Sequence, residues 1–276
     1  MLEGLPSLIC GMIKTILSLG AGVQSSALAL MAAHGEIKPM PDVAVFADTG
    51  FEPKQVYRWL AWLEKQLPFP VVKLSHGNIK NDELDATTKR NCIPYFFKDE
   101  DGKMGLGKRQ CTTDYKIRPI EKYTRSEILK LQPKQHAPKV HTVDMWMGIS
   151  LDEIQRCKIP FVNKWQRNVY PLVEKRLTRW HCLEWMKNNN YPTPPRSACL
   201  CCPFHSDKEW LKIKNGPLEE WDEVVSFDKQ IRASNPFDNI PYLHRSGKPL
   251  DEVDFITPEN QGQLSFLDEC DGVCGL

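Results

Sequence analysis

A run of small and hydroxylic residues, Ser18-Leu19-Gly20-Ala21-Gly22-Val23-Gln24-Ser25-Ser26, has the composition of an anion cradle. Glycines let the backbone turn several N–H groups toward one point, serines add hydroxyl donors, and a helix beginning there adds the positive end of its dipole. The run lacks the Gly-Lys-Ser/Thr ending of a Walker loop and the third glycine of a dinucleotide fingerprint. A tight strand-to-helix turn that binds nothing therefore stands beside the phosphate reading. Asp48-Thr49-Gly50 offers a carboxylate, a hydroxyl and a flexible turn. A third constellation, Cys199-Leu200-Cys201-Cys202-Pro203-Phe204-His205, sets two thiols at Cys-x-x-Cys spacing before a proline, which suits an iron–sulfur cluster or, with His205, zinc. Cys182 lies just upstream and is a candidate further ligand, while it and Cys201 also read as small buried hydrophobes. Cys10, Cys92 and Cys157 have no partner pattern and read as structural.

These groups need elements to position them. Short apolar runs at 13–19, 42–47, 70–74 and 141–149 read as buried strands. Helical spacing appears over 53–66, where Val56, Trp59, Leu60 and Leu63 share a face, and helices are expected at 27–33, 116–131, 177–188 and 218–231. Strands alternating with helices predict an α/β fold, a parallel sheet flanked by helices with right-handed crossovers. The glycine run then ends the first strand and Asp48 the second, on the carboxyl edge where open α/β sheets take ligands. Residues 77–110, with Gly102, Gly105 and Gly107, read as a mobile or substrate-covering loop, and prolines at 192–195 break the chain before the cysteines. The organisation expected is a leader over 1–11, a nucleotide-binding domain over 12–175, a cysteine-rich, helical or irregular segment over 176–216, and an acidic helix and tail over 217–276.

Taken in order, the motifs carry a resemblance over 13–203. Ser18-x-Gly20-x-Gly22-x-x-Ser25 resembles the pyrophosphate loop (PP-loop) of the N-type ATP pyrophosphatases, the adenine nucleotide alpha hydrolase superfamily. Phe46-Ala47-Asp48-Thr49-Gly50-Phe51-Glu52 is similar to the matching segment of the phosphoadenosine phosphosulfate (PAPS) reductase branch. Cys111-Thr112-Thr113-Asp114-Tyr115-Lys116-Ile117-Arg118-Pro119, Gly148-x-x-x-x-Glu153 with Arg156, Tyr170-Pro171-Leu172 and Cys199-x-x-Cys202-Pro203 resemble further segments of that branch. Gln24 departs from it, standing where an acidic residue is usual.

The resemblance implies a Rossmann-type fold with ATP, PAPS or its unphosphorylated relative APS held over Ser18, Leu19, Gly20, Ala21, Gly22, Gln24, Ser25 and Ser26, and by Asp48, Thr49 and Gly50. Mg²⁺ would accompany ATP. Lys116, Arg118 and Arg156 would neutralise charge at the reacting phosphorus or sulfur; unaided by the resemblance, they read as solvated surface cations. The resemblance also places a cluster cysteine at Cys111, so that Cys111, Cys182, Cys199 and Cys202 would hold a [4Fe–4S] cluster, with zinc as the alternative. The ending Glu269-Cys270-Asp271-Gly272-Val273-Cys274-Gly275-Leu276 resembles, in split form, the Glu-Cys-Gly tail of sulfonucleotide reductases, which would make Cys270 or Cys274 a nucleophile, although the flanking acids oppose thiolate formation. The activity implied is that of an oxidoreductase or transferase: sulfonucleotide reduction, or ATP-dependent sulfur modification of tRNA or DNA. A non-catalytic binding module with a structural metal is the alternative class.

Composition fits these readings. With 276 residues, 41% hydrophobic, the chain fills a core and is not a disordered polymer. Net charge is +1, yet 156–187 holds eight Lys/Arg against two Glu, and 217–276 holds thirteen Asp/Glu against four Lys/Arg. The basic stretch, interleaved with Trp165, Tyr170, Trp180 and Trp185, offers a nucleic-acid acceptor a surface, although such aromatics also serve as core. The uncharged stretch 15–33 holds Gly20, Gly22, Gln24 and three serines, a poor hydrocarbon helix. A cytoplasmic protein with no membrane attachment is expected, acting with a sulfur- or electron-donor protein and carrying reduced thiols rather than a disulfide framework.

Overall fold

Strand β1 (Lys14–Ser18) carries Ile16 and Leu17 on opposite faces, both wholly buried, so the sheet around it is covered on both sides. The computed structural model describes residues 13–85, 87, 92–99, 101–158, 163–234 and 239–255. In it β2 (Val43–Asp48), β3 (Val71–Ser75), β6 (Val143–Met147) and β7 (Gln166–Val169) join β1 in a parallel sheet of order β3-β2-β1-β6-β7. The fold is therefore α/β, a parallel sheet flanked by helices. The chain leaves β1 for β2 on one side and later returns to pair β6 on the other. The carboxyl ends of β1 and β6 thus flank the switch point where such sheets leave a crevice.

One face of the sheet packs α1 (Val23–Ala33), α2 (Lys54–Glu64) and α6 (Arg179–Asn188) through Leu17, Phe46, Leu28, Leu60, Trp146 and Met186. The helical spacing read from 53–66 is realised: Val56, Trp59, Leu60 and Leu63 are the buried residues of α2. The other face, with Ile16, Val45, Val143 and Met145, packs against Ile120, Tyr123 and Ile128 of a continuous helical segment. That segment is wound wide, as π-helix, over Thr112–Ile117 and Thr124–Ile128, with α4 (Arg118–Tyr123) between.

Residues 77–110 do not form the loop the sequence suggested. They hold α3 (Ile79–Leu84), β4 (Phe96–Lys98) and β5 (Met104–Leu106), and β8 (Ile240–Tyr242) completes an antiparallel sheet of order β5-β4-β8. Glu83 fixes the approach to β4: its carboxylate accepts the N–H groups of Cys92 at 2.7 Å and Ile93 at 3.3 Å and the hydroxyl of Tyr95 at 2.8 Å. This sheet, α7 (Asp207–Lys214) and α8 (Leu218–Ala233) enclose a second core containing Phe51, Tyr95, Tyr115, Leu200, Trp210, Phe227 and Leu243. Among the described residues no helix is long and apolar enough to cross a membrane.

His244 is buried in this second core, its Nδ1 paired with Ser246 Oγ at 2.8 Å and its Nε2 3.3 Å from Asp207 Oδ1. Burial holds its imidazole below the ordinary value, outweighing the pull of Asp207. The unfolded chain then takes up a proton that the folded chain refuses. This contribution to stability is present above the ordinary histidine value and lost as pH falls through the lower folded one. The melting temperature is expected to drop more steeply between neutral pH and about pH 5 in the wild type than in His244→Gln. Equal slopes would assign the acid loss to carboxylates instead.

Candidate nucleotide site

The glycine run folds as an arch between β1 and α1. Leu19 N–H still bonds Val45 O at 2.9 Å, so strand register continues one residue past β1. Gly20-Ala21-Gly22 then reverses the chain, with Ala21 at φ +57°, a left-handed conformation that costs a non-glycine residue about 1–2 kcal/mol. α1 starts at Val23, earlier than the sequence suggested, so Gln24, Ser25 and Ser26 lie in its first turn. Its N-cap, Gly22, offers no side-chain acceptor, which leaves the first-turn N–H groups for a ligand. Gly148, just past β6, backs directly onto this turn. Ser197 Oγ donates to Gly20 O and ties the segment before the cysteines to the arch.

A cavity of about 690 Å³ opens here, within the range of small-molecule sites. Ser18, Leu19, Gly20, Gly22, Gln24 and Ser25 line one part, and Phe46, Ile120, Met145 and Met147 form an apolar part. Lys116, Arg156, Lys158, Arg179, Arg196 and Lys212 bring positive charge. Arg156 pairs with Glu153 at 2.7 Å, and Arg196 pairs with Glu209. An arch that presents N–H and hydroxyl donors next to an apolar wall suits a ligand with phosphates at one end and a flat ring at the other.

Several of the expected residues are placed elsewhere. Ala21 is buried in the first core, and Ser26 is buried with its hydroxyl accepting Trp59 Nε1–H at 2.9 Å. Asp48 is consumed by its own turn: Oδ1 accepts Gly50 N–H and the Tyr57 hydroxyl, each at 2.8 Å. Burial, together with that bond, pushes the Tyr57 phenol well up. Thr49 Oγ1 donates to Glu52 Oε1 at 3.1 Å. Asp48, Thr49 and Gly50 are absent from the cavity wall, and the carboxylate there from that turn is Glu52, whose buried Oε2 has no hydrogen-bond partner among the described residues. Lys116 and Arg156 face the cavity as expected. Arg118 does not: it pairs with Asp114, four residues back on the same helical segment, and its side chain is 62% exposed.

The cysteines divide between the two cores. Cys92, Cys111, Cys199 and Cys201 belong to the second. Cys111 N–H bonds Cys92 O at 2.9 Å, Cys202 N–H bonds Cys199 O at 3.0 Å, and Cys199 Sγ lies 3.2 Å from Thr49 Oγ1 and 3.4 Å from Glu52 Oε1. Burial, then the Glu52 charge, pushes the Cys199 thiol well up. Cys182 is separate. With Met186, one turn along α6, it packs into the first core, close to Asp152 and Arg179. The four-thiol set expected from the sequence is therefore not assembled, because α6 turns Cys182 toward α1 instead of toward the Cys199 loop. Among the described residues no three His, Cys, Asp or Glu side chains converge on a point that could hold a metal ion. Buried His205 meets the cysteine segment through Cys199 O, 2.9 Å from its Nε2. Cys157 is half-buried, its thiol pushed up by burial. Cys10, Cys270 and Cys274 lie outside the described residues.

Sequence reasoning missed Glu52, Arg179, Arg196 and Lys212 as cavity residues. The one local signal was at α6, where Thr178 and His181 form a capping box that fixes the helix start and hence Arg179.

No protein-family model and no curated protein matches the chain. Among solved structures it is similar to phosphoadenylyl-sulfate (PAPS) reductase from Candida auris in a phosphate complex, with 12% identity, 67% of this chain and 76% of that one covered, and a TM-score of 0.39. It is also similar to the U34-tRNA thiolase NcsA from Methanococcus maripaludis with its [4Fe-4S] cluster, with 14% identity, 84% and 70% covered, and a TM-score of 0.38.

Proposed function

We propose that this chain is an enzyme of PAPS reductase-like type that binds an adenosine phosphate at the arch and carries out sulfur chemistry beside it. The observation that carries the reading is the cavity, where an uncapped helix start, Ser18 and Ser25, and the cations Lys116 and Arg156 meet one apolar wall. Phosphate oxygens would take the N–H and hydroxyl donors. The cations would meet charge developing on a phosphoryl or sulfuryl oxygen. In the transfer version an acceptor oxygen attacks the α-phosphorus, pyrophosphate leaves, and a sulfur nucleophile then displaces AMP. In the reductive version a thiolate, Cys270 or Cys274, attacks the sulfur of a sulfonucleotide, the sulfur–oxygen bond to the phosphate breaks and the adenosine phosphate leaves. The other thiol then displaces sulfite from the S-sulfocysteine, forming a disulfide that a thiol donor protein must reduce. The expected cluster ligands do not come together, so neither version is routed through iron.

A nucleic-acid acceptor is the second reading, favoured by Trp180. Of the four aromatics in the basic stretch, Trp165 is buried, Trp185 stacks on Tyr191, and Tyr170 bonds Lys158, whereas Trp180 is 61% exposed next to cavity-lining Arg179. An exposed ring, here in edge contact with His181 at 5.1 Å between centroids, is what base stacking uses.

Calorimetric titration with ATP and with PAPS tests the shared premise. At least one is expected to bind, with Ser25→Ala weakening it about tenfold through loss of a hydroxyl donor to a charged group. Pyrophosphate release in the presence of tRNA or DNA, or sulfite release from PAPS, then selects the version. Binding of neither nucleotide would defeat both.

A further inference from the structure

We infer that Arg179 supplies the positive charge that a divalent metal would otherwise bring to phosphates at this arch, so that adenosine phosphates bind here without magnesium. This rests on the nucleotide reading of the cavity and concerns how the ligand's charge is met.

Gln24 and Arg179 both line the cavity, and they hold each other. Gln24 Oε1 accepts from Arg179 Nη1 at 3.0 Å, while Gln24 Nε2 donates to buried Ser150 Oγ at 3.4 Å. The amide is thereby oriented with its oxygen toward the guanidinium. Arg179 is also fixed at its root. It is the first residue of α6, and its backbone N–H points at both carboxylate oxygens of Asp152, at 3.1 and 3.2 Å. A long side chain held at its root and at its tip has lost most of its rotamer freedom before any ligand arrives.

The identity of residue 24 decides what the arch can hold. Magnesium takes hard oxygen ligands, commonly one or two carboxylates together with substrate phosphates. Of the neighbouring carboxylates, Asp152 accepts from the Arg179 backbone, Glu153 pairs with Arg156 and Glu209 with Arg196. Glu52 meets Thr49 and Cys199 through Oε1 and keeps Oε2 without a hydrogen-bond partner among the described residues. The arch itself offers an amide at position 24 in place of a carboxylate. A carboxylate at position 24 would hold Arg179 equally well but would cancel its charge. The glutamine holds the guanidinium and leaves it cationic. Guanidinium is charged at every physiological pH, and its planar fork matches phosphate oxygens.

The test is binding of ATP, and of PAPS, to the full-length chain, measured in EDTA and in excess Mg²⁺. The wild type is expected to bind in EDTA at least as tightly as in Mg²⁺. Arg179→Gln should weaken binding in EDTA about tenfold or more, the loss of a charge-assisted contact, and Gln24→Glu should do the same by cancelling the guanidinium. Arg179→Lys should retain part of the affinity. ATP binding that requires Mg²⁺ in the wild type would overturn the inference while leaving the nucleotide reading standing, and needs no variant to fold. Unchanged EDTA affinity in folded Arg179→Gln would also overturn it. Absence of binding by both ATP and PAPS in both buffers would remove the inference together with the reading beneath it.

Discussion

Gly148→Ala is expected to abolish nucleotide binding and to lower the melting temperature by several degrees. A β-carbon at this position would lie 2.6 Å from Ser25 Cα and 2.8 Å from both Ser25 N and Ser25 Cβ. Real β-carbons do not approach backbone so closely, and no flexible side-chain tip is present to swing away. Either the end of β6 or the first turn of α1 must shift. β6 is pinned by its pairing with β1, where Ser18 stands opposite Met147. α1 is buried from Val23 to Met31 and on to Ala32, so it cannot slide as a surface helix would. Overpacking of this kind costs about 1–3 kcal/mol, and each kcal/mol shifts the melting temperature of a chain this size by about 2–4 °C. The displaced groups are the donors of the arch, so affinity suffers beyond the stability loss. Gly20→Ala is the stability control, since its β-carbon would meet only Ser197 Oγ and Ser25 Oγ at 3.7 Å, an ordinary contact. Wild-type ATP affinity in Gly148→Ala would show that the arch is not where nucleotide sits.

The first core was legible because its signals are local. Apolar runs gave β1, β2 and β6, the face of Val56, Trp59, Leu60 and Leu63 gave α2, and the glycine run gave the arch. The second sheet was not legible. β4, β5 and β8 have three residues each, and β4 takes β8 as partner from the far end of the chain. No window of sequence shows such a pairing, and the glycines at 102, 105 and 107 read locally as a loop. The site was legible in part for the same reason. Ser18, Gly20, Gly22 and Ser25 form a contiguous motif and do line the cavity. Asp48 is in the right turn, but a carboxylate can cap its own turn, and here it bonds the N–H two residues ahead. Cys182 is close to Cys199 in sequence, yet direction on a helix, not distance along it, decides where a side chain goes. Its fellow buried residue, Met186, lies one turn away and marks the face that enters the first core. Arg179 carried no motif. Its role follows from a partner, Gln24, far upstream, and only the fold brings the two together.

Asp228→Ala is expected to be the most destabilising of the single changes considered. Asp228 lies on α8 with no exposed surface. Its Oδ1 accepts Leu243 N–H at 3.2 Å, its Oδ2 accepts Leu250 N–H at 2.9 Å, and it pairs with Arg232 on the next turn of the helix. One carboxylate thus satisfies two buried backbone donors and a largely buried guanidinium. It also holds the chain after β8 against α8, where Leu243, Leu250 and Val253 complete the second core. Alanine removes the acceptor and leaves every donor in place, so the cost is that of stranding buried polar groups and an unpaired charge, about 3–5 kcal/mol. Asparagine should cost less, because one amide oxygen still accepts, while its NH₂ must face a donor. The measurement is the urea midpoint, with the slope of the transition held as a check that the same surface unfolds. The change touches no cavity residue, so at urea concentrations where the variant remains folded its ATP affinity should match the wild type. A wild-type midpoint in Asp228→Ala would mean that the segment after β8 is not held through this carboxylate. Loss of ATP affinity in the folded variant would instead tie the second core to the arch through Leu200 and Cys201, which that core buries, and through Ser197, which bonds Gly20.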